Sequence, residues 1–157
     1  MSYVESILQP GERVVYRTGP HWYVYLPAAG LAVLAVIAIV AAQQASSRGN
    51  AYLPLILFIV GAVLAVFALG WWLRAFLRRW STELVATNRR IVYKTGLLSR
   101  HTAEMSLDKV ESIDVDQSMP GRLLDYGTVT VRGTGGGIEP LPDIAGPIAF
   151  RNHVTAV

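Results

Sequence analysis

WYVYLPAAGLAVLAVIAIVAA (Trp22–Ala42) and YLPLILFIVGAVLAVFALGWWL (Tyr52–Leu73) are the two stretches on which the fold turns. Neither contains Asp, Glu, Lys, Arg or His from end to end. A helix rising about 1.5 Å per residue needs roughly 20 apolar residues to cross about 30 Å of hydrocarbon. Each stretch is long enough. A charge at the centre of such a segment would be costly, and none is present. Both stretches therefore read as transmembrane helices. Asp, Glu, Lys and Arg are absent throughout Thr18–Ser47 and again throughout Gly49–Leu73, with only Arg48 between. Two buried core helices are the alternative. However, 157 residues leave too little chain to cover two helices that are apolar on every side. A cleaved signal peptide fits poorly, because a stretch of mixed polarity, Met1–His21, precedes a run longer than an h-region.

The connector Gln43–Ala51 is short and polar, so the helices are expected to form an antiparallel hairpin. Arg13 and Arg17 before the first helix, with Arg74, Arg78 and Arg79 after the second, face Arg48 alone in the connector. That asymmetry places both termini in the cytoplasm, and the chain as a multi-pass membrane protein. Trp22, Tyr25, Trp71, Trp72 and Trp80 are candidate interfacial anchors together with Arg74, since indole and phenol rings favour the headgroup layer. Pro27 and Pro54 fall near the helix starts, where a missing N–H costs least. Ala28/Ala32 and Gly61/Ala65 have the spacing that lets two helices approach closely, and simple lipid-facing small residues fit the same spacing.

The rest of the composition agrees. Apolar residues make up 52% of the chain, charged residues 16%, and mean hydropathy is +0.38. A soluble domain carries about 25% charge. The net charge of +3 is unevenly placed. Residues 1–80 carry six arginines against Glu5 and Glu12, whereas residues 81–157 carry eight basic and nine acidic residues. A nucleic-acid domain keeps its basic surplus on its own folded face, so no nucleic-acid partner is expected. With no cysteine there is no disulfide framework, thiolate metal site or thiol nucleophile.

After Trp80 the pattern changes to period two, broken by turn residues. Glu83–Thr87 reads as a strand, Asn88-Arg89-Arg90 as a turn, and Ile91–Lys94 as a strand. Alternating stretches follow at Leu98–Leu107 and Val110–Asp116. Met119-Pro120-Gly121 reads as a break and Arg122–Tyr126 as a turn or short helix. Thr128–Arg132 and Ile138–Leu141 flank a hairpin turn at Gly133–Gly137, and a terminal helix is expected over Ile148–Val157. The sum is a small antiparallel sheet, curled or barrel-like, closed by a helix. Glu12–Arg17 (ERVVYR) also has strand composition and is expected to add a seventh strand at an otherwise open edge.

Leu84–Ile91 (LVATNRRI), Lys94–Arg100 (KTGLLSR), Leu107–Ile113 (LDKVESI), Gln117-Ser118 and Gly121–Val129 (GRLLDYGTV) follow one another, with Pro10-Gly11-Glu12 and His21-Trp22 ahead of the first helix. Taken in order, these blocks resemble the bacterial pleckstrin-homology-like (PH-like) family of YdbS-like membrane proteins. The resemblance implies a two-helix transmembrane hairpin plus a mainly-β PH-like domain of about seven antiparallel strands in two sheets, capped by a C-terminal helix. It implies a place in the plasma (inner) membrane of a prokaryote and no catalytic residue. The expected organisation is an N-terminal segment at 1–20, a hairpin at 21–73, a basic juxtamembrane segment at 74–80 and the PH-like domain at 81–157. The stretch 81–157 is short for such a fold, which makes the N-terminal strand more important.

No motif calls for a cofactor, a metal or an active site. The glycine run Gly133–Gly137 leads into Ile138-Glu139-Pro140 rather than a helix with Lys-Ser/Thr, so it reads as a hairpin loop and not a phosphate cradle. Asp108, Glu111, Asp114 and Asp116 lack the glycine and spacing of a calcium loop and read as a solvated strand face. His21, His101 and His153 are scattered, and no nucleophile elbow accompanies them. The candidate lipid-headgroup contacts are Arg78 and Arg79 at the membrane exit and Arg89 and Arg90 in the first hairpin turn. The first two also suffice as topology signals, and the last two as a solvated turn. The expected function is non-enzymatic: an interaction or assembly module that self-associates or docks another membrane protein. Membrane lipids are its surroundings, and binding of anionic headgroups is the alternative.

Overall fold

The computed structural model describes residues 8–49, 52–96 and 101–156. The chain divides into two compact units, Trp22–Leu77 and the pair of segments Met1–His21 with Arg78–Val157.

The first unit is a helical hairpin. A 3₁₀ turn at Trp22–Tyr25 leads into α1 (Leu26–Ser47), and α2 spans Leu53–Ser81. Both are long and apolar enough to cross a membrane. Each outruns the apolar stretch that announced it. Gln43–Ser47 continues α1 because nothing there breaks a helix, and α2 carries Arg78 and Arg79 in its last turn, where cations offset the carbonyl end of the helix dipole. The juxtamembrane segment is thus helical. The buried positions are Ala28, Ala35, Ala42 and Ala45 on α1 and Gly61, Ala68 and Ala75 on α2. Seven-residue spacing makes this a coiled-coil-like seam of small side chains. A Cβ on Gly61 would stand 2.7 Å from Ile39 Cγ1 and 3.1 Å from the Ala35 carbonyl oxygen, so close approach requires glycine. Ala32 and Ala65, the second members of the four-residue pairs, face outward.

The second unit holds seven antiparallel strands in two sheets. β1 (Val14–Thr18), β2 (Glu83–Thr87), β3 (Arg90–Thr95) and β4 (His101–Ser106) form one sheet in that order. A 3₁₀ turn at Leu107–Lys109 leads into the other, β5 (Val110–Asp116), β6 (Tyr126–Gly133) and β7 (Gly136–Ala145), with α3 (Met119–Leu124) between β5 and β6. The terminal helix α4 (Pro147–Thr155) packs against β1, β2, β5 and β6. Leu84, Ala86, Ile91, Val129, Val131, Ile144 and Phe150 form the core between the layers. Phe150 is fully buried and lies edge-on to Tyr16, with ring centroids 6.3 Å apart.

The segment ahead of the helices completes this domain. Arg17 pairs with Val85 and Thr18 with Leu84, so β1 covers the edge of β2. β2 is buried on both faces: Leu84 and Ala86 enter the core, while Val85 and Val92 pack under Leu8 on the other side. Beyond β1 the chain crosses to the second sheet. The Thr18 hydroxyl donates to the Ala145 carbonyl (2.6 Å), Ala145 N–H to the Gly19 carbonyl (3.0 Å), and His21 N–H to the Asp143 carbonyl (2.7 Å).

Three expectations shift. The N-terminal strand begins at Val14, because Glu12 turns its side chain inward. The break expected at Met119-Pro120-Gly121 is instead the first turn of α3: the Ser118 hydroxyl accepts from Gly121 N–H (3.2 Å), Pro120 occupies a first-turn position, and Gly121 packs where a Cβ would lie 2.6 Å from the Tyr126 carbonyl oxygen. β7 runs through Pro140 and Pro142, which a sheet edge tolerates because outward-facing N–H groups have no ladder partner to lose. Leu98, Ser99 and Arg100, the start of the expected Leu98–Leu107 strand, lie outside the described residues, as does Val157.

Candidate functional site

Glu12 is the most deeply held charge in the domain. Its side chain is 1% exposed and that of Arg90 17%. Oε1 accepts from Arg90 Nε (2.9 Å) and the Thr87 hydroxyl (2.8 Å), and Oε2 from Arg90 Nη2 (2.9 Å) and Gln9 N–H (2.9 Å). The bidentate pair is closed from outside by Glu104, whose Oε2 accepts from Arg90 Nη1 (2.7 Å). The Arg90 hydrogen bonds, helped by Gln9 and Thr87, outweigh the cost of burial and hold the Glu12 carboxyl down at about 2. A carboxylate so far below neutrality, with its oxygens fully engaged, is no proton donor or acceptor at physiological pH. The cluster ties the N-terminal segment to the β2–β3 hairpin beside a polar cleft of about 520 Å³ that Arg89 and Asp108 also line.

This changes the reading of the four candidate headgroup cations. Arg90 is not a turn residue with a free guanidinium; it opens β3 and is consumed by two carboxylates. Arg78 pairs with Asp143 (2.8 Å). Arg79 lies close enough to His21 to help push that imidazole's pKa down, after burial, which is the larger cause. Arg89 is exposed on the turn and makes no ion pair among the described residues. Arg89 and Arg90 line the same polar cleft.

His21 stacks on Tyr126 and His153 on Tyr16, with centroids 5.5 and 4.6 Å apart, while His101 is exposed on β4. Among the described residues no group of three or more His, Asp or Glu side chains is placed to hold a metal ion.

On the helical hairpin, Trp22, Trp71, Trp72 and Arg74 are exposed and Tyr25 is half-buried; Trp72 stacks on Phe76 at 5.4 Å. Tyr25 and Trp72 wall a groove of about 460 Å³ whose floor is Ala28, Ala32, Ala35 and Ala68. Trp80, in the domain, is 73% exposed.

The two sheets of four and three antiparallel strands closed by α4 are the fold that the sequence resemblance implied, and a family model for the bacterial PH domain matches residues 23–156. The chain belongs to the bacterial PH domain family. No curated protein and no solved structure gives a match. PH-like domains are generally non-catalytic interaction modules. In this bacterial PH domain the matched stretch leaves out β1, which is built into its sheet, and Glu12 and Leu8, which pack against that sheet. Two features escaped the sequence. The Glu12–Arg90 pair joins residues 78 positions apart, with no local signature. On α3, Met119 and Leu123 point outward, and the signal for them was apolar residues at i and i+4, one in the stretch read as a break and the other in the turn or short helix after it.

Proposed function

We propose that this protein is a membrane-anchored, non-enzymatic docking module. Its two apolar helices span the inner membrane with both termini cytoplasmic, and its hairpin self-associates or receives a helix of another membrane protein. The observation that carries this reading is the alanine-floored groove between Tyr25 and Trp72. Within a bilayer, helix association depends on close packing rather than on expulsion of water, and small side chains let a third backbone approach. Arg78 and Arg90 being engaged in ion pairs favours docking over headgroup capture. The headgroup reading keeps Arg89 in its favour, which is exposed and forms no ion pair among the described residues.

Ala32 lines the groove but lies off the buried seam, so Ala32→Leu fills the groove and leaves the hairpin intact. The expected result is a wild-type complex, in mild detergent, whose dissociation constant rises about tenfold in the variant, the usual scale of overpacking. A wild-type protein that is monomeric in mild detergent and gives no cross-link in the bilayer would sink the proposal.

Topology is checked separately. Single cysteines at Ser47 and Thr155 in this cysteine-free chain are expected to label from opposite sides of the membrane, as the arginine asymmetry requires. Labelling of Thr155→Cys from outside intact cells would overturn the orientation.

A further inference from the structure

α3 is built to hold two apolar side chains in the open. Met119 and Leu123 are 80% and 86% exposed, the most exposed large hydrophobic residues among those described in the PH domain. They stand one helical turn apart with Pro120 beside them, opposite the buried Gly121. The mounting is rigid. Ser118 caps the helix, Gln117 Nε2 donates to the Tyr126 carbonyl (3.1 Å), and Asp125 ends it in the left-handed region at φ 57°. Isolated exposed leucines are ordinary. An adjacent pair on a capped, fixed helix is a presented surface.

We infer that Met119, Pro120 and Leu123 form a wedge that enters the interfacial layer of the membrane to which the protein is anchored. This rests on the anchoring proposed above. Three observations select a lipid surface as the occupant. The first is area. Two side chains bury about 200 Å², far below the roughly 1,200–2,000 Å² of a stable protein interface. That deficit matters less for a tethered domain, because α2 ends at Ser81 and β2 begins at Glu83, and so short a link keeps the lipid surface at high effective concentration. The second is charge. Arg122 flanks the apolar pair, is exposed and forms no ion pair among the described residues. At the depth where two apolar tips enter the acyl boundary, a guanidinium reaches phosphate. The third is the placement of the nearest acid. The Asp125 carboxylate lies beside Gly146, at the start of α4, with an oxygen 3.8 Å from the place of a Gly146 Cβ.

The experiment uses the full chain in vesicles of phosphatidylcholine and phosphatidylglycerol. Single cysteines replace Leu123, Thr134 at the exposed β6–β7 turn, or Ile59 in α2, each carrying an environment-sensitive fluorophore. Leu123 and Thr134 are surface sites, where substitution changes stability little. The expected result is a blue-shifted emission at position 123, quenched by lipids with a nitroxide on the upper acyl chain and unchanged on dilution with lipid. Position 134 is expected to be unquenched and position 59 quenched by deeper nitroxides. Equal solvent exposure at 123 and 134, with 59 quenched, overturns the wedge alone. Protection at 123 that disappears on dilution with lipid marks a protein partner and also overturns it. An unquenched label at 59 overturns the anchoring and the wedge together.

Discussion

Deleting residues 1–17 is expected to unfold the sheet domain while leaving the two apolar helices inserted. The segment is a minor part of the chain, yet it serves the domain in four ways. β1 covers the edge of β2, which would otherwise present a row of unpaired backbone groups. Leu8 covers Val85 and Val92. Glu12 is the counter-ion of Arg90, and Tyr16 packs against Phe150 and His153. Losing the buried pair and one aromatic contact surface together costs about 5 kcal/mol or more. A small domain has only about 5–15 kcal/mol in total. Amide hydrogen exchange resolved to β2 and β3 in the membrane-inserted chain measures the loss directly, and those amides are expected to exchange as in an unfolded chain. If residues 81–157 alone are monodisperse and melt cooperatively at an ordinary temperature, the N-terminal strand is dispensable and this account of the fold is wrong.

How far these features could be read in advance depends on whether the information was local. Uninterrupted apolar length announced both helices, and alternation bounded Val110–Asp116 as the structure has it. The N-terminal strand was legible from composition and from the need to cover an edge. Helix ends were less so, since Gln43–Ser47 is polar and still helical, and polarity marks a membrane boundary rather than a helix terminus. The seam between the helices is periodic at seven through Ala28, Ala35 and Ala42. The four-residue pairs Ala28/Ala32 and Gly61/Ala65 caught only its first members. Met119-Pro120-Gly121 looked like a break because adjacent proline and glycine are a turn signal. Here a serine cap and a close contact with the Tyr126 carbonyl give each a place in the first turn. The candidate cations were visible as residues, but whether each was available was not. Arg78 meets Asp143 and Arg90 meets Glu12 from distant parts of the chain, and no pattern in a single sequence encodes such pairings.

Replacing Arg90 with alanine is expected to destabilise the domain by about 3 kcal/mol, because it leaves the Glu12 carboxylate buried without its partner. Exchange of the β2 and β3 amides that open with the domain should then accelerate about a hundredfold. The pH dependence separates this from simple loss of packing. In the wild type Glu12 is held at about 2 against an ordinary 4.5, so its contribution is fully present above pH 4.5 and is lost as pH falls from there towards 2. In Arg90→Ala the largest cause of that lowering is gone, and burial, which pushes the carboxyl up, is opposed only by the hydrogen bonds from Gln9 and Thr87. The destabilisation by Arg90→Ala is therefore expected to be fully present above pH 4.5 and to shrink as the pH falls from there towards 2, where the wild type loses the contribution of Glu12. Glu12→Gln combined with Arg90→Met removes both charges and should recover most of the loss, since replacing a buried pair by neutral groups of similar volume is often close to neutral. A single variant as stable as the wild type, or one whose stability follows the wild-type pH profile, would show that the pair does not hold the N-terminal segment to the sheet.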